Sequence, residues 1–341
     1  MKTSLKKYLR FSLGVFTLAV FLFASFHYFA YQKFMATPIN INQTTLLEVK
    51  SGQGAISLAQ SLEAKNVITN ANYLRLYLRL NPEQSKIKVG EYQIEVGLNP
   101  EQLLSKLVEG DVIQYQVTFV EGINIYQLLS QLDNTPHLKR DWPTEESLLA
   151  KALGIPYSKV EGWIYPDTYS YTKNTSGLAL LKRAYQQTKA HLSNAWEIRA
   201  QDLPYSSPYD ALIMASIIEK ETGIASEREM IAGVFVRRLE KNMRLQTDPT
   251  VIYGVGPSFD GDITYKHLRT PTAYNTYVIK GLPPSPIAMP GVDSINAALN
   301  PSDGKWLYFV ATGDGGHYFS ETLEEHNKAV KRYLRRQKGS D

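Results

Sequence analysis

No cysteine occurs anywhere in the 341 residues. That absence excludes a disulfide framework, a thiol nucleophile, a cysteine-ligated zinc site and an acylated lipoprotein cysteine. Acid is missing from the start of the chain, where the first carboxylate is Glu48. The net charge of +4 comes wholly from Lys2, Lys6, Lys7 and Arg10, and from residue 11 onward acids and bases cancel. A neutral body lacks the electrostatic footprint of a nucleic-acid binder, so nucleic acid is excluded as a partner. Internal repeats and low-complexity tracts are also lacking. What is present is 43% hydrophobic residues, enough to bury the cores of about two ordinary domains once a membrane segment is set aside.

That segment is Phe11 to Gln32, a run with no formal charge, rich in Phe, Leu, Val and Ala. As a helix rising about 1.5 Å per residue it reaches roughly 33 Å, the thickness of a hydrocarbon core. Four cations precede it and only Lys33 follows closely, which predicts a cytoplasmic tail over 1–10 and export of the rest. A cleaved signal peptide is the alternative. The run is long for one, and no small-x-small cleavage site follows it.

Residues 33–44 are polar and unpatterned and read as a tether. A strand from Leu46, helices over 56–65 and 72–80, and a strand over 87–95 then follow. This strand–helix–helix–strand order resembles a LysM module, the small fold that docks on N-acetyl sugars; a packing subdomain without ligand is the alternative. The subdomain is expected over 45–115 and a catalytic domain over 116–341. In the latter, a strand over 112–120 precedes helices near 125–132, 145–153 and 178–197, and a strand over 306–311 comes late. Strands, then helices, then a strand indicate an α+β fold rather than repeated βαβ units. The closing cations Lys328, Lys331, Arg332, Arg335, Arg336 and Lys338 share one helical face. They suit the helix dipole as a solvated end, with a partner or lipid contact as the alternative.

The stretch from Ser207 to Thr222 (SPYDALIMASIIEKET) carries the chemistry. Ser207 is placed to cap a helix, Pro208 suits its first turn, and Gly223 is a natural stop. Between them the helix is apolar on most sides, hence buried, yet it ends in Glu219 and Glu221. Two residues apart, these acids diverge by about 200° and cannot share a face. Burial and the negative end of the dipole both disfavour ionisation, so either could hold a proton at neutral pH and act as a general acid on a glycosidic bond. The residues themselves leave the choice between them open. Ser226 and Glu229 form a capping box for a second helix. Three stretches rich in Tyr, Asn, Thr, Pro and Gly (245–254, 271–291 and 309–327) read as loops that could line a sugar groove.

The segments EGWIYPDTY (161–169), MASIIEKET (214–222), MRLQTDPTVIYG (243–254), YNTY…GLPP (274–284) and GGHYF…HN (315–327) resemble the endolytic murein transglycosylases of the MltG (YceG-like) family, in order and spacing, across about residues 45–335. The resemblance implies a single-pass protein of the inner (cytoplasmic) membrane, anchored by residues 11–32, with its catalytic domain facing the periplasm. The implied partners are peptidoglycan glycan strands and peptidoglycan synthases; no metal or organic cofactor is implied. It places the catalytic acid on Glu221, which would protonate the bond between N-acetylmuramic acid and N-acetylglucosamine. As the base it would then take the C6 hydroxyl proton while a 1,6-anhydro ring closes, an ending that would terminate strand elongation.

Groove candidates are Gln246, Asp248, Tyr253, Tyr274, Asn275, Tyr277 and His317. Asp248 would make the enzyme a hydrolytic muramidase if it activates water; as an Asp before Pro249 it reads otherwise as a turn residue bonding its own backbone. Trp163, Tyr165 and Tyr169 suit the core as well as a groove. His317 and His326 lie on no common helical face and do not read as a metal pair. A non-catalytic wall-binding scaffold is the third reading.

Overall fold

The computed structural model describes residues 2–338; Met1 and residues 339–341 of the expected tail and catalytic domain lie outside the described residues. The chain forms two compact units divided between Tyr115 and Gln116, and its fold is α+β.

In the first unit, helix α1 (Lys2–Ala36) is followed by β1 (Thr45–Val49), α2 (Ala55–Ala64), α3 (Ala71–Leu80), β2 (Gly90–Ile94) and α4 (Pro100–Glu109). From Lys6 to Ala36, α1 is long and apolar enough to cross a membrane. The two strands pair antiparallel, with Leu47 opposite Tyr92. Each short helix buries one stripe, such as Ala55, Leu58, Ala59 and Leu62 of α2, the i, i+3, i+4, i+7 pattern of a one-sided helix. Local signals fix the helix ends: Asn70 accepts the amides of Asn72 and Tyr73, and Asn99 and Gln102 cap α4 reciprocally before Gly110 ends it at φ 77°. Fully buried Tyr92 donates its hydroxyl to the Lys88 carbonyl at 2.7 Å.

Part of the stretch expected as a tether over 33–44 packs into this unit. Residues 33–36 are helical, Phe34 and Ile39 are buried in the core of this unit, and the Ile39 and Asn40 amides donate to Leu98 and Val67, each at 2.8 Å. Two buried apolar side chains contribute about 1.5–3 kcal/mol each, enough to hold a stretch whose composition looked like linker.

The second unit runs β3 (Tyr115–Thr118), α5 (Ile125–Asp133), β4 (Leu138–Lys139), α6 (Glu146–Leu153), β5 (Thr168–Tyr171), β6 (Thr175–Ser176), α7 (Gly177–Glu197), α8 (Pro208–Glu221), α9 (Ala225–Glu240), α10 (Asp248–Val255), α11 (Tyr265–Arg269), α12 (Val292–Leu299), β7 (Tyr308–Ala311), β8 (His317–Ser320) and α13 (Leu323–Lys338). Among the described residues the strands pair only in twos: β3 with β5, parallel β4 with β6, and antiparallel β7 with β8. The core forms around α8, whose residues Ala211 to Ile218 are all buried and which packs on α7, α9, α10 and α12. Trp163 and Tyr169 are buried, while Tyr165 stacks on His191 with ring centres 4.5 Å apart, so these aromatics serve packing.

Several local readings are corrected. Residues 248–254 are not a loop: α10 begins at Asp248, because Pro249 in the first helical turn removes an amide that would have had no partner there. Residues 309–327 form the β7–β8 hairpin and the start of α13, with Gly313 and Gly315 at φ 91° and 95° in the turn. Helix α9 starts at Ala225 with no side-chain cap, so Ser226 and Glu229 do not box it; the Thr222 hydroxyl accepts the Ile224 amide instead, at 3.0 Å.

Glu161, in the first motif, has no exposed surface and binds the Ile125 amide at 3.1 Å and the Tyr253 hydroxyl at 3.0 Å. Burial pushes its carboxyl up from 4.5 to about 8, against the Ile125 and Tyr253 bonds, which pull it down. A folded-state value raised above the unfolded one means the folded protein holds the extra proton between about pH 4.5 and 8. Its stabilising contribution is therefore complete below about 4.5 and lost as pH rises through 8. Glu161→Gln is expected to shrink the fall in Tm between pH 5 and pH 9, measured by thermal denaturation; an unchanged fall would contradict a buried, neutral Glu161.

Candidate active site

Helix α8 ends at Glu221, because Thr222 turns extended (φ −146°, ψ 137°) one residue before Gly223. The two terminal acids part company there. Glu219 accepts the Gly291 amide at 3.0 Å and the Ser294 hydroxyl at 2.7 Å, so it caps the N-terminus of α12. Glu221 lines a cleft of about 650 Å³ with Gln246, Thr247, Asp248, Tyr277 and His317. Burial lifts its carboxyl from 4.5 to about 7; the Thr247 hydroxyl, which donates to Oε1, and nearby His317 lower it, while Asp248 raises it further.

Each neighbour is held in place. Buried Thr247 donates its amide to the Thr276 hydroxyl at 3.1 Å, and Gln246 takes a left-handed backbone (φ 53°) with its amide on the Thr276 carbonyl at 3.3 Å. Arg238, 7% exposed, donates to the carbonyls of Leu307 (2.6 Å), Leu245 (2.8 Å) and Arg244 (3.1 Å), tying α9 to the 244–247 stretch and to β7. Asp248 accepts the Tyr277 hydroxyl at 2.6 Å, which replaces the expected bond to its own backbone; burial, then that bond, raises the phenol well above its usual range. His317 Nδ1 lies 2.7 Å from Glu227 Oε2, and its amide donates to Glu227 Oε1 at 2.8 Å. A carboxylate only accepts, so Nδ1 carries the hydrogen. Burial works to raise the Glu227 carboxyl, but the His317 bonds outweigh it and hold it below the usual carboxylate range.

Glu221, Gln246, Asp248, Tyr277 and His317 thus converge. Tyr253, Tyr274 and Asn275 do not line this cleft. Tyr253 bonds Glu161 and packs on Tyr274, whose hydroxyl lies 2.6 Å from Ser285 Oγ. Buried Asn275 donates to the carbonyls of His267, Leu268 and Thr270. Tyr and Asn satisfy buried polar groups as readily as they face sugars, so residue type could not separate the roles. Sequence reasoning missed Thr247, Glu227 and Arg238. Only proximity in the fold singles these out. His326, which shares no helical face with His317, lines the cleft with it; His326 stacks on Tyr308, and burial, then Arg238, lower its pKa.

A carboxyl titrating near neutrality beside a sugar-sized cleft can donate a proton to a bound bridging oxygen and take one back. Thr247→Val removes a bond that favours the charged form. The alkaline limb of the activity profile is therefore expected to move to higher pH, read from kcat against pH; a shift to lower pH would contradict the donor assignment.

The YceG-like family model matches residues 47–332. The chain is 30% identical over 331 residues to the endolytic murein transglycosylase of Bacillus subtilis (strain 168), covering 90% of each chain. It is 25% identical over 348 residues to the endolytic murein transglycosylase of Streptococcus pneumoniae serotype 2 (strain D39 / NCTC 7466), covering 90% of this chain and 62% of that one. The crystal structure of a yceG-like protein from Listeria monocytogenes is similar at a TM-score of 0.54 and 33% identity, over 84% of this chain and 99% of that one.

Proposed function

The chain belongs to the YceG-like family, and on that premise we propose that it is a membrane-anchored endolytic murein transglycosylase with Glu221 as its catalytic acid and base. The observation that carries this reading is the half-buried Glu221, titrating at about 7 on the wall of a cleft large enough for sugar rings. Protonated Glu221 gives its hydrogen to the oxygen between N-acetylmuramic acid and N-acetylglucosamine as the bond breaks toward an oxocarbenium-like state. The carboxylate left behind takes the proton of the muramic acid C6 hydroxyl, whose oxygen closes on C1 as a 1,6-anhydro ring. The proton lost in the first half is regained in the second, and no water is consumed. An anhydro end cannot be extended, so the cut terminates a growing strand made by a synthase.

The support for an anchor is α1. Residues 6–24 are exposed on every face, while Ser25, His27, Tyr31 and Phe34 are covered by their own unit. Nineteen bare residues span roughly 28 Å, close to a hydrocarbon core. The outer membrane boundary then falls near Ser25, where His27 Nδ1 meets the Tyr73 hydroxyl at 3.0 Å, rather than at Gln32. With the cationic end inside, the catalytic unit lies beyond the outer face of the cytoplasmic membrane. The first unit, strand–helix–helix–strand in order, would serve as a LysM-like glycan contact.

A hydrolytic muramidase is the second reading, favoured by one observation: Asp248 lines the same cleft and lies close enough to raise the Glu221 pKa. Mass spectrometry of digested strands decides between them. Anhydro ends, one water lighter than reducing ends, are expected; reducing ends alone would replace the lyase by the hydrolase.

A further inference from the structure

Just past its bare stretch, α1 carries exposed Phe26, Tyr28 and Phe29, with His27 among them turned toward α3. Phe26 to Phe29 lie about 1.5–6 Å beyond the boundary at Ser25. That is within the headgroup layer, about 5–8 Å deep on each side of a bilayer, where aromatic rings are favoured. Tyr73 of α3 reaches the same depth. Its hydroxyl meets His27, and its ring centre lies 6.1 Å from that of Tyr31 and 5.8 Å from that of Phe34. One residue of α3 thus meets two turns of α1, so the helices cross rather than run side by side. A helix crossing the anchor runs along the bilayer surface.

Helix α3 buries Ala71, Leu74 and Leu78 in the core of the first unit. Phe34 and Ile39, which follow the membrane boundary by more than two turns, join the same core. The core therefore lies on the far side of α3 from the lipid. Leu76 and Leu80 stand on the opposite face, 42% and 66% exposed. With Tyr73 and Tyr77 they make an i, i+3, i+4, i+7 stripe, a second apolar face that the core leaves uncovered. Exposed Asn72 and Arg79 border it, and the helix holds two arginines and no acid. A side chain reaches about 5–6 Å from its helix axis. From the level of Tyr31, about 9 Å past Ser25, Leu76 and Leu80 extend into the headgroup layer.

We propose that the Leu76–Leu80 face of α3 docks on the outer leaflet of the bilayer that α1 crosses. The proposal rests on the anchor reading and not on the murein chemistry. Continuity names the occupant: α1 leaves the lipid beside this face, so the bilayer surface is what the face meets first. An apolar stripe edged by a cation is the composition of an interfacial helix. The long side chain of Arg79 lets its guanidinium reach lipid phosphates while the leucines sit deeper. The first unit is then seated on the membrane instead of swinging from it.

The chain has no cysteine, so a single introduced one can be labelled cleanly. Full-length L76C, L80C, L46C and F16C, each carrying a bimane, go into nanodiscs of phosphatidylcholine with about one-third phosphatidylglycerol, an anionic surface. All four positions are exposed, so the labels leave the packing as it is. Leu46, exposed on β1 beside the core residue Leu47, is the aqueous reference, and Phe16, in the bare stretch of α1, is the lipid reference. Acrylamide should quench the labels at Leu76 and Leu80 about threefold less than the label at Leu46, and a nitroxide on the lipid headgroup should quench them more. Adding L76E to the L80C chain should return its label toward the Leu46 value. Equal quenching at Leu46, Leu76 and Leu80, wet or dry, would overturn docking through α3. A label at Phe16 as open to acrylamide as the one at Leu46 would overturn the anchor instead.

Discussion

Glu221→Gln should lower kcat on uncrosslinked glycan strands by about 10²–10⁴-fold, the range supplied by positioned proton transfer, while KM stays within about twofold. Glutamine keeps the volume of the side chain and an oxygen that accepts the Thr247 hydroxyl, so the cleft should keep its shape and lose only its proton. Glu219→Gln is the matched control. That side chain accepts two hydrogen bonds at the start of α12, a task the amide oxygen can still perform, and its kcat should stay within a few fold of wild type. The contrast matters because the two acids lie two residues apart on one helix end. A large loss from Glu219→Gln with none from Glu221→Gln would reverse the assignment.

Arg238→Ala should have the second largest effect. Its guanidinium satisfies three backbone carbonyls and stacks over Tyr308 with a 5.0 Å separation from the ring centre. Truncation leaves those carbonyls without their donor and opens a hole between α9 and β7. The expected cost is about 2–4 kcal/mol of stability in chemical denaturation. The 244–247 stretch carries Gln246 and Thr247 into the cleft, so kcat should also fall, by about 10²-fold, through misplacement rather than lost chemistry. Arg238→Lys can reach one carbonyl but not all three, and should recover only part of both. A variant as stable and active as wild type would show that the stretch is held by Thr276 alone.

The helices were largely legible because their signals are local. Pro208 at the first turn of α8 and Gly223 just beyond its end mark the limits within a residue or two, and the apolar run from Ala211 to Ile218 declares its own burial. Misreadings cluster where one residue type serves two structures. Pro249 opens a helix as readily as it makes a turn, so α10 reads as loop in the sequence. Helix α12 is short and follows Pro290 and Gly291, which mimic a loop boundary. Phe34 and Ile39 sit in a polar stretch whose packing depends on a core built from later residues. At the site, two positions in the T-D-P-containing stretch, Gln246 and Asp248, and His317 in the Gly-rich turn could be read as candidates. Glu227 and Arg238 could not, since the partners that tie them to the β7–β8 hairpin, His317 and Leu307, lie 90 and 69 residues away in the chain, and no spacing rule reaches that far.

The most direct measurement is the pH dependence of kcat/KM, which reports the free enzyme's essential acid, compared between wild type and Thr247→Val. With Glu221 required in its protonated form and titrating at about 7, kcat/KM should fall about tenfold per unit above that pH, with the limb displaced upward in the variant. A rate that instead rises with a pKa near 4.5 and stays level through pH 8 would mean that Glu221 works as an ordinary ionised carboxylate and that the proton for the glycosidic oxygen comes from another group.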